Sequence, residues 1–305
     1  MDLLIRKFRL LLLAWLHPHR SVSISGPVSF VRRFSYKDIK RATDGFRRIS
    51  YSNSYGVAYK AIFQDGLVAL VKEVRDFNQG KDIFYGEVQR LGRLHHRHLL
   101  ALRGFSTGRK RFLVFESIEN GSLKEHLNDP LKTPLNWRTR LQIAIGVAAA
   151  LEYLQLFNEP PIYHVSIRSS NILLDENFTA KLADVGILSS GGNHATAQNV
   201  SCSKDCTGQE GKNIIFQLGV LILELITGQS SEKGGVDLIQ WVQESRLSRS
   251  MQKMIDPDLG NSYDSRELNN LLAVARLCIK SGEKPTFSIP QIFRYLQKKV
   301  DIPRD

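Results

Sequence analysis

At 305 residues and 42% hydrophobic side chains, the chain can bury a sizeable core, and one large domain with a short leader uses nearly all of it, leaving no room for a second enzyme domain. Its net charge of +12 is unevenly spread: residues 1–50 hold eleven Lys and Arg against three Asp (+8), which leaves 31 against 27 (+4) for residues 51–305. The excess therefore belongs to the amino-terminal part, and with no clustered aromatic and basic motif in the remainder, a nucleic-acid-binding reading is set aside.

Three cysteines, Cys202, Cys206 and Cys278, form an odd set in a long chain. This fits a reducing compartment and free thiols rather than a disulfide framework. Cys202 and Cys206 with His194 give no recognisable zinc spacing.

Residues 1–33 read as a basic, apolar leader and linker. Leu3, Leu4, Ile5, Phe8 and the run Leu10–Leu16 carry Arg6, Lys7 and Arg9 and stop at His17 and Pro18. The segment is too short and interrupted to span a bilayer, which takes about 20 mostly apolar residues. Several readings stay open: a minimal signal peptide, a poorly ordered tail or a remnant of a lost transmembrane region, and the favoured one, a helix on an anionic membrane surface assisted by Arg20, Arg32 and Arg33. Asp2 follows Met1, so N-myristoylation has no glycine to use.

The next stretch, Phe34-Ser-Tyr-Lys-Asp-Ile-Lys-Arg-Ala-Thr-Asp-Gly-Phe46, resembles the F-S-x-x-x-I-x-x-A-T-x-x-F signature of plant receptor-like kinases. The resemblance implies an α+β, two-lobed protein kinase fold over residues 34–297, followed by a tail at 298–305. A small β-rich lobe with one helix (about 34–117) would precede a larger helical lobe (about 118–297). It also implies ATP and magnesium as cofactors, neither needed for the fold.

Within the first lobe, Tyr51, Asn53 and Gly56 fill the places of a G-x-G-x-x-G loop, so only the last glycine survives. Glycine there lets the backbone approach phosphates, and side chains at Tyr51 and Asn53 should obstruct it. Asp65-Gly66 turns into Val68-Ala-Leu-Val-Lys72, which is similar to the family's V-A-V-K strand, placing Lys72 as the phosphate lysine. Leu70 replaces a small alanine that roofs the adenine. Glu87, on an amphipathic segment running to Leu94, matches the helix glutamate expected to pair with Lys72. His95, His96 and His98 fall in the structural turn that follows. Leu113-Val-Phe-Glu-Ser117 resembles the hinge, with Phe115 as gatekeeper and Glu116 and Ser117 beside the base.

In the second lobe, Leu135-Asn-Trp-Arg-Thr-Arg140 and the apolar positions to Tyr153 follow the family's L-x-W-x-x-R pattern and predict a buried helix. It leads to His164-Val-Ser-Ile-Arg-Ser-Ser-Asn171 and, thirteen residues later, Asp184-Val-Gly186. These resemble the catalytic loop H-R-D-x-x-x-x-N and the D-F-G metal site. Asn171 and Asp184 match the magnesium ligands, Arg168 replaces a phosphate-steadying lysine, and Val165 replaces an arginine that holds a phosphorylated segment. Ser166 stands where a carboxylate accepts the substrate proton. A hydroxyl is no base near neutral pH, and such a base contributes ~10²–10⁴-fold in rate.

Downstream, Gly191 to His194 and Ser201 to Gly211 read as polar loop. No A-P-E follows, and Lys284 replaces its arginine partner. Ile214 stands where the family has an aspartate tying the next helix, Leu218–Leu225, to the catalytic loop, so that anchor is expected to be lost. The expectation is a receptor-like pseudokinase, with weak ATP and magnesium binding if any, acting on other receptor-like kinases or signalling proteins. It would work in the cytoplasm or at the cytoplasmic face of the plasma membrane. The alternative is a low-activity serine/threonine kinase.

Overall fold

The structure, a computed structural model, describes residues 31–53, 56–74, 81–108, 110–186, 204–231, 254–280 and 287–299. The leader to residue 30, Gly191 to His194, Leu238 to Val242, Lys284 and the end of the tail lie outside the described residues, as do the Cys202 and Cys206 side chains.

The first lobe is a six-stranded sheet of β1 (Arg32–Arg33), β2 (Ile49–Asn53), β3 (Gly56–Ile62), β4 (Val68–Val74), β5 (Leu102–Ser106) and β6 (Arg111–Phe115), in the order β1-β5-β6-β4-β3-β2. β1 runs parallel to β5, and the other pairings are antiparallel. The two-residue period of a strand assigns each face its own core. Ala69, Val71, Phe112 and Val114 point to one side, and Leu70, Val74, Leu113 and Phe115 to the other. Helix α1 (Tyr36–Ala42) covers the first side with Ile39 and Ala42. Ser35 caps it, its hydroxyl accepting from Asp38 N while the Asp38 carboxylate accepts from Ser35 N. Helix α2 (Lys81–Gly92) covers the second side with Phe84, Val88 and Leu91, one stripe at i, i+4 and i+7.

In the second lobe, α3 (Leu123–Asn128) leads to α4 (Trp137–Leu156), whose small-residue pattern yields the expected buried helix. Asn136 caps α4 by accepting from Thr139 N at 2.8 Å. A hairpin of β7 (Ile172–Leu174) and β8 (Ala180–Leu182) follows the catalytic loop. Helices α5 (Lys204–Thr227), α6 (Ser265–Lys280) and α7 (Ile289–Lys299) complete the lobe, with Leu218, Leu221, Leu225, Leu271 and Ala275 in the shared core. Helix α5 corrects the expectation of loop up to Gly211: it begins fourteen residues before Leu218, at Lys204. Gly208 and Gly211, in its first two turns, cost about 1 kcal/mol each in a helix interior. That penalty is offset because the buried half from Ile214 to Ile226 holds the axis and Lys, Gln and Glu propagate it. No described helix is long and apolar enough to cross a membrane.

The histidine turn is structural, with one measurable consequence. The His98 ring lies where a Cβ on Gly146 would overlap it, and its Nδ1 sits 3.0 Å from the Ala180 carbonyl oxygen. Burial pushes His98 down from 6.5 to about 4, and burial also lowers His96. Protonation therefore favours the unfolded chain. The neutral ring's contribution is complete above about pH 6.5 and is lost as pH falls towards 4. Between pH 7 and pH 5 the chain should lose about 1–2 kcal/mol through this group. Urea unfolding at the two pH values measures it: His98→Gln should show a smaller difference than the parent chain, and an equal difference would contradict the assignment.

Candidate functional site

The end of α4 and the β7–β8 hairpin hold the catalytic loop through main-chain bonds. Val165 and Val185 form an antiparallel bridge. Ser166 N donates to the Asp184 carbonyl at 3.1 Å, Gly186 N to His164 O at 2.8 Å, and Ala183 N to Asn171 O at 2.9 Å. A 3-10 turn, Ser169–Asn171, then turns Asn171 inward. Ser166, Asn171 and Asp184 are thereby brought together. Asn171 Nδ2 donates to Ser166 Oγ at 3.0 Å and to Asp184 Oδ2 at 3.2 Å. Among the described residues no carboxylate is hydrogen-bonded to Ser166 Oγ. Arg168 is exposed at the loop's outer side.

Lys72, within β4, is buried and reaches Asp184 Oδ1 at 3.4 Å. This corrects the expected Lys72–Glu87 pair. Glu87 is held instead by Arg90, one helical turn on, through Nε at 2.9 Å and Nη2 at 2.6 Å. An Arg fork satisfies both oxygens of a carboxylate at once, which a single ammonium cannot match. The pair lies directly on Gly186, whose φ of +103° favours glycine and where a Cβ would overlap both the carboxylate and the guanidinium. The glutamate thus braces the Asp-Val-Gly turn.

Tyr51, on β2, packs against the main core. Burial, and then the nearby Asp184 carboxylate, push its phenol well above the usual range. Gly56 opens β3, paired with Asn53 across the hairpin. At the other end of the cleft, Leu70 pairs with Phe115 across β4 and β6, both buried. Glu116 Oε1 accepts from Ala101 N at 3.0 Å and Lys181 Nζ at 3.2 Å, while Oε2 lies 3.6 Å from Arg103. Its carboxylate therefore joins β5 and β8 to the hinge, and Ser117 follows, partly buried.

The magnesium donor set is present in kind, as the Asp184 carboxylate and the Asn171 amide oxygen. Both Asp184 oxygens nevertheless already face protein donors, Lys72 and Asn171. Among the described residues no group of three or more His, Cys, Asp or Glu is arranged to hold a metal.

The lost loop anchor is a second correction. Ile167 N donates to Gln217 Oε1 at 2.7 Å, so α5 does hold the catalytic loop, from one turn beyond Ile214. The longer amide reaches what a side chain at Ile214, buried in the core, cannot. Gln217→Leu would leave a buried N–H without an acceptor and should cost about 1–3 kcal/mol. An unchanged urea midpoint for that variant would contradict the anchor.

Residues 52–207, half of the chain, match the family model for protein tyrosine and serine/threonine kinases. The chain belongs to the protein kinase family. Within it, the chain is 38% identical over 297 residues to a probable receptor-like protein kinase of Arabidopsis thaliana, covering 90% of this chain and 44% of that protein. It is 33% identical over 305 residues to a probable receptor-like serine/threonine-protein kinase of the same plant, covering 92% and 70%. The chain therefore spans less than half the length of some curated relatives. Among solved structures it is similar to the pseudokinase domain of BIR2, an immune regulator of the RLK/Pelle family, with a TM-score of 0.74, 29% identity, and 87% and 84% of the two chains covered. The receptor-like kinase family and its two-lobed fold are thus established, with pseudokinase-like features.

Proposed function

We propose that this receptor-like kinase domain is a pseudokinase that works by binding and biasing another receptor-like kinase rather than by transferring phosphate. The observation that carries the reading is the Ser166 hydroxyl hydrogen-bonded to Asn171, with no carboxylate among the described residues hydrogen-bonded to it to take the substrate proton. The Tyr51 ring near Asp184, and the Glu87 carboxylate committed to Arg90, support it from the nucleotide side. ATP and magnesium are read as weak ligands, held if at all by Lys72, Asn171 and Asp184. The partner class follows the relatives: the BIR2 pseudokinase is itself described as an immune regulator of this family. The leader is proposed to bring the chain to an anionic membrane surface on the cytoplasmic side; of the expected span 1–33, Val31, Arg32 and Arg33 belong to the folded lobe through the core and β1.

The low-activity kinase reading rests on the Lys72–Asp184 contact and the retained Asn171. The binding reading is tested by mixing the full chain with an active receptor-like kinase domain, following complex formation by sedimentation and the partner's autophosphorylation rate. A complex that changes that rate equally with Ser166→Ala supports it. No complex and no change at concentrations well above the micromolar range contradicts it.

A further inference from the structure

We infer that the folded first lobe has its own docking face for an anionic lipid bilayer, formed by α1 and the strand ends around it, in addition to the leader. This deepens the membrane placement proposed above and is independent of whether the chain transfers phosphate.

Residues 31–65 hold eight Lys and Arg against three Asp, a net +5 in thirty-five residues. The fold gathers most of them. Helix α1 turns Ile39 and Ala42 onto the sheet, which leaves Lys37, Lys40 and Arg41 on its outward side, all exposed. Arg32 and Arg33 flank this helix at the β1 end of the sheet, and Arg47 and Arg48 at the β2 end, all exposed as well. Among the described residues none of Lys37, Lys40, Arg41, Arg47 and Arg48 forms an ion pair. Two of the three acids are already engaged: Asp38 in the Ser35 cap and Asp65 with Arg32. A face on which the cations outnumber the acids, and on which most stand unpaired, suits a polyanionic surface.

Two further features favour a bilayer over nucleic acid or an acidic protein. Aliphatic groups stand among the cations: Ile62 is 47% exposed, and Ile49, next to Arg48 in the chain, is 61% exposed. Ile62 shares the wall of a cavity of about 290 Å³ with Arg32 and Arg41, which fixes their adjacency. Cations beside exposed aliphatics match headgroups over acyl chains. The described aromatics, in contrast, pack on one another: Tyr36 lies 6.0 Å from Phe46, which stacks on Phe112 at 5.4 Å, so these rings are engaged within the lobe rather than free for base stacking. In the sequence, the leader's own Arg6, Lys7, Arg9 and Arg20 come before β1, the edge strand of the sheet.

The test is vesicle co-sedimentation of the full chain, with phosphatidylserine-rich and pure phosphatidylcholine vesicles. The parent is compared with Lys37→Glu/Lys40→Glu/Arg41→Glu and with the leader variant Arg6→Gln/Lys7→Gln/Arg9→Gln; melting temperature confirms that each folds. Three basic groups near an anionic surface set the scale, and the α1 variant should bind phosphatidylserine vesicles at least about tenfold more weakly. The leader variant should retain binding that the α1 changes then remove. An α1 variant that binds as the parent does overturns the proposal, and so does an equal loss on phosphatidylcholine. Binding to soluble polyglutamate with none to vesicles also overturns it, in favour of an acidic protein partner. The leader proposal fails separately, if the leader variant alone leaves binding unchanged.

Discussion

Arg140→Leu should lower the melting temperature of the chain by roughly 10 °C, the largest single-site loss expected in the second lobe. Arg140 is 1% exposed and its Nη2 lies 2.7 Å from the Asp256 carboxylate, which is buried too. Its Nε donates to Leu135 O at 2.8 Å and Nη1 to Leu225 O at 3.0 Å, so one guanidinium ties the start of α4 to the end of α5. Removing it leaves a buried carboxylate and two carbonyls without their donor. Losing one partner of a buried pair costs about 3–5 kcal/mol, whereas replacing both with apolar groups is often nearly neutral. Arg140→Met/Asp256→Leu should therefore recover part of the loss. Recovery stays partial because Asp256 Oδ1 also accepts from Asp258 N at 2.9 Å. Thermal melting of the three proteins checks this, and a single variant within a degree or two of the parent contradicts it.

Tyr51→Gly should create a nucleotide response that the parent chain lacks. The phenol is packed into the core near Asp184, where a phosphate-binding loop would bring only backbone. Millimolar ATP and magnesium should barely move the parent's melting temperature. A ligand at about a hundred times its Kd adds about 2.7 kcal/mol to stability, several degrees for a domain of this size. Tyr51→Gly should melt lower than the parent without nucleotide and gain a shift of this order with it. A several-degree shift in the parent itself would contradict the crowding.

Most of the fold is legible in the chain because its elements carry their own periodicity. The alternating faces of β4 and β6 and the apolar helix from Trp137 to Leu156 need no tertiary information to be read. The cluster of Ser166, Asn171 and Asp184 follows from a motif whose spacing a hairpin fixes. What stays hidden is the choice among competing partners. A Glu and an Arg three apart on a helix are common, and nothing local says that Arg90 outbids Lys72 for Glu87. Gln217 is missed for a similar reason: the family's anchor is sought at Ile214, while a longer side chain one turn away serves the same N–H. The start of α5 reads as loop because Gly208 and Gly211 weaken its local signal, and packing further along supplies the rest.

Absence of a proton acceptor at Ser166 is tested most directly by incubating the full chain with magnesium and γ-labelled ATP, beside Lys72→Ala and a basic acceptor protein. Incorporation by the parent chain should equal the Lys72→Ala background. Label transferred by the parent and abolished by Lys72→Ala would show that the Ser166 site supports catalysis, and the pseudokinase account would fall.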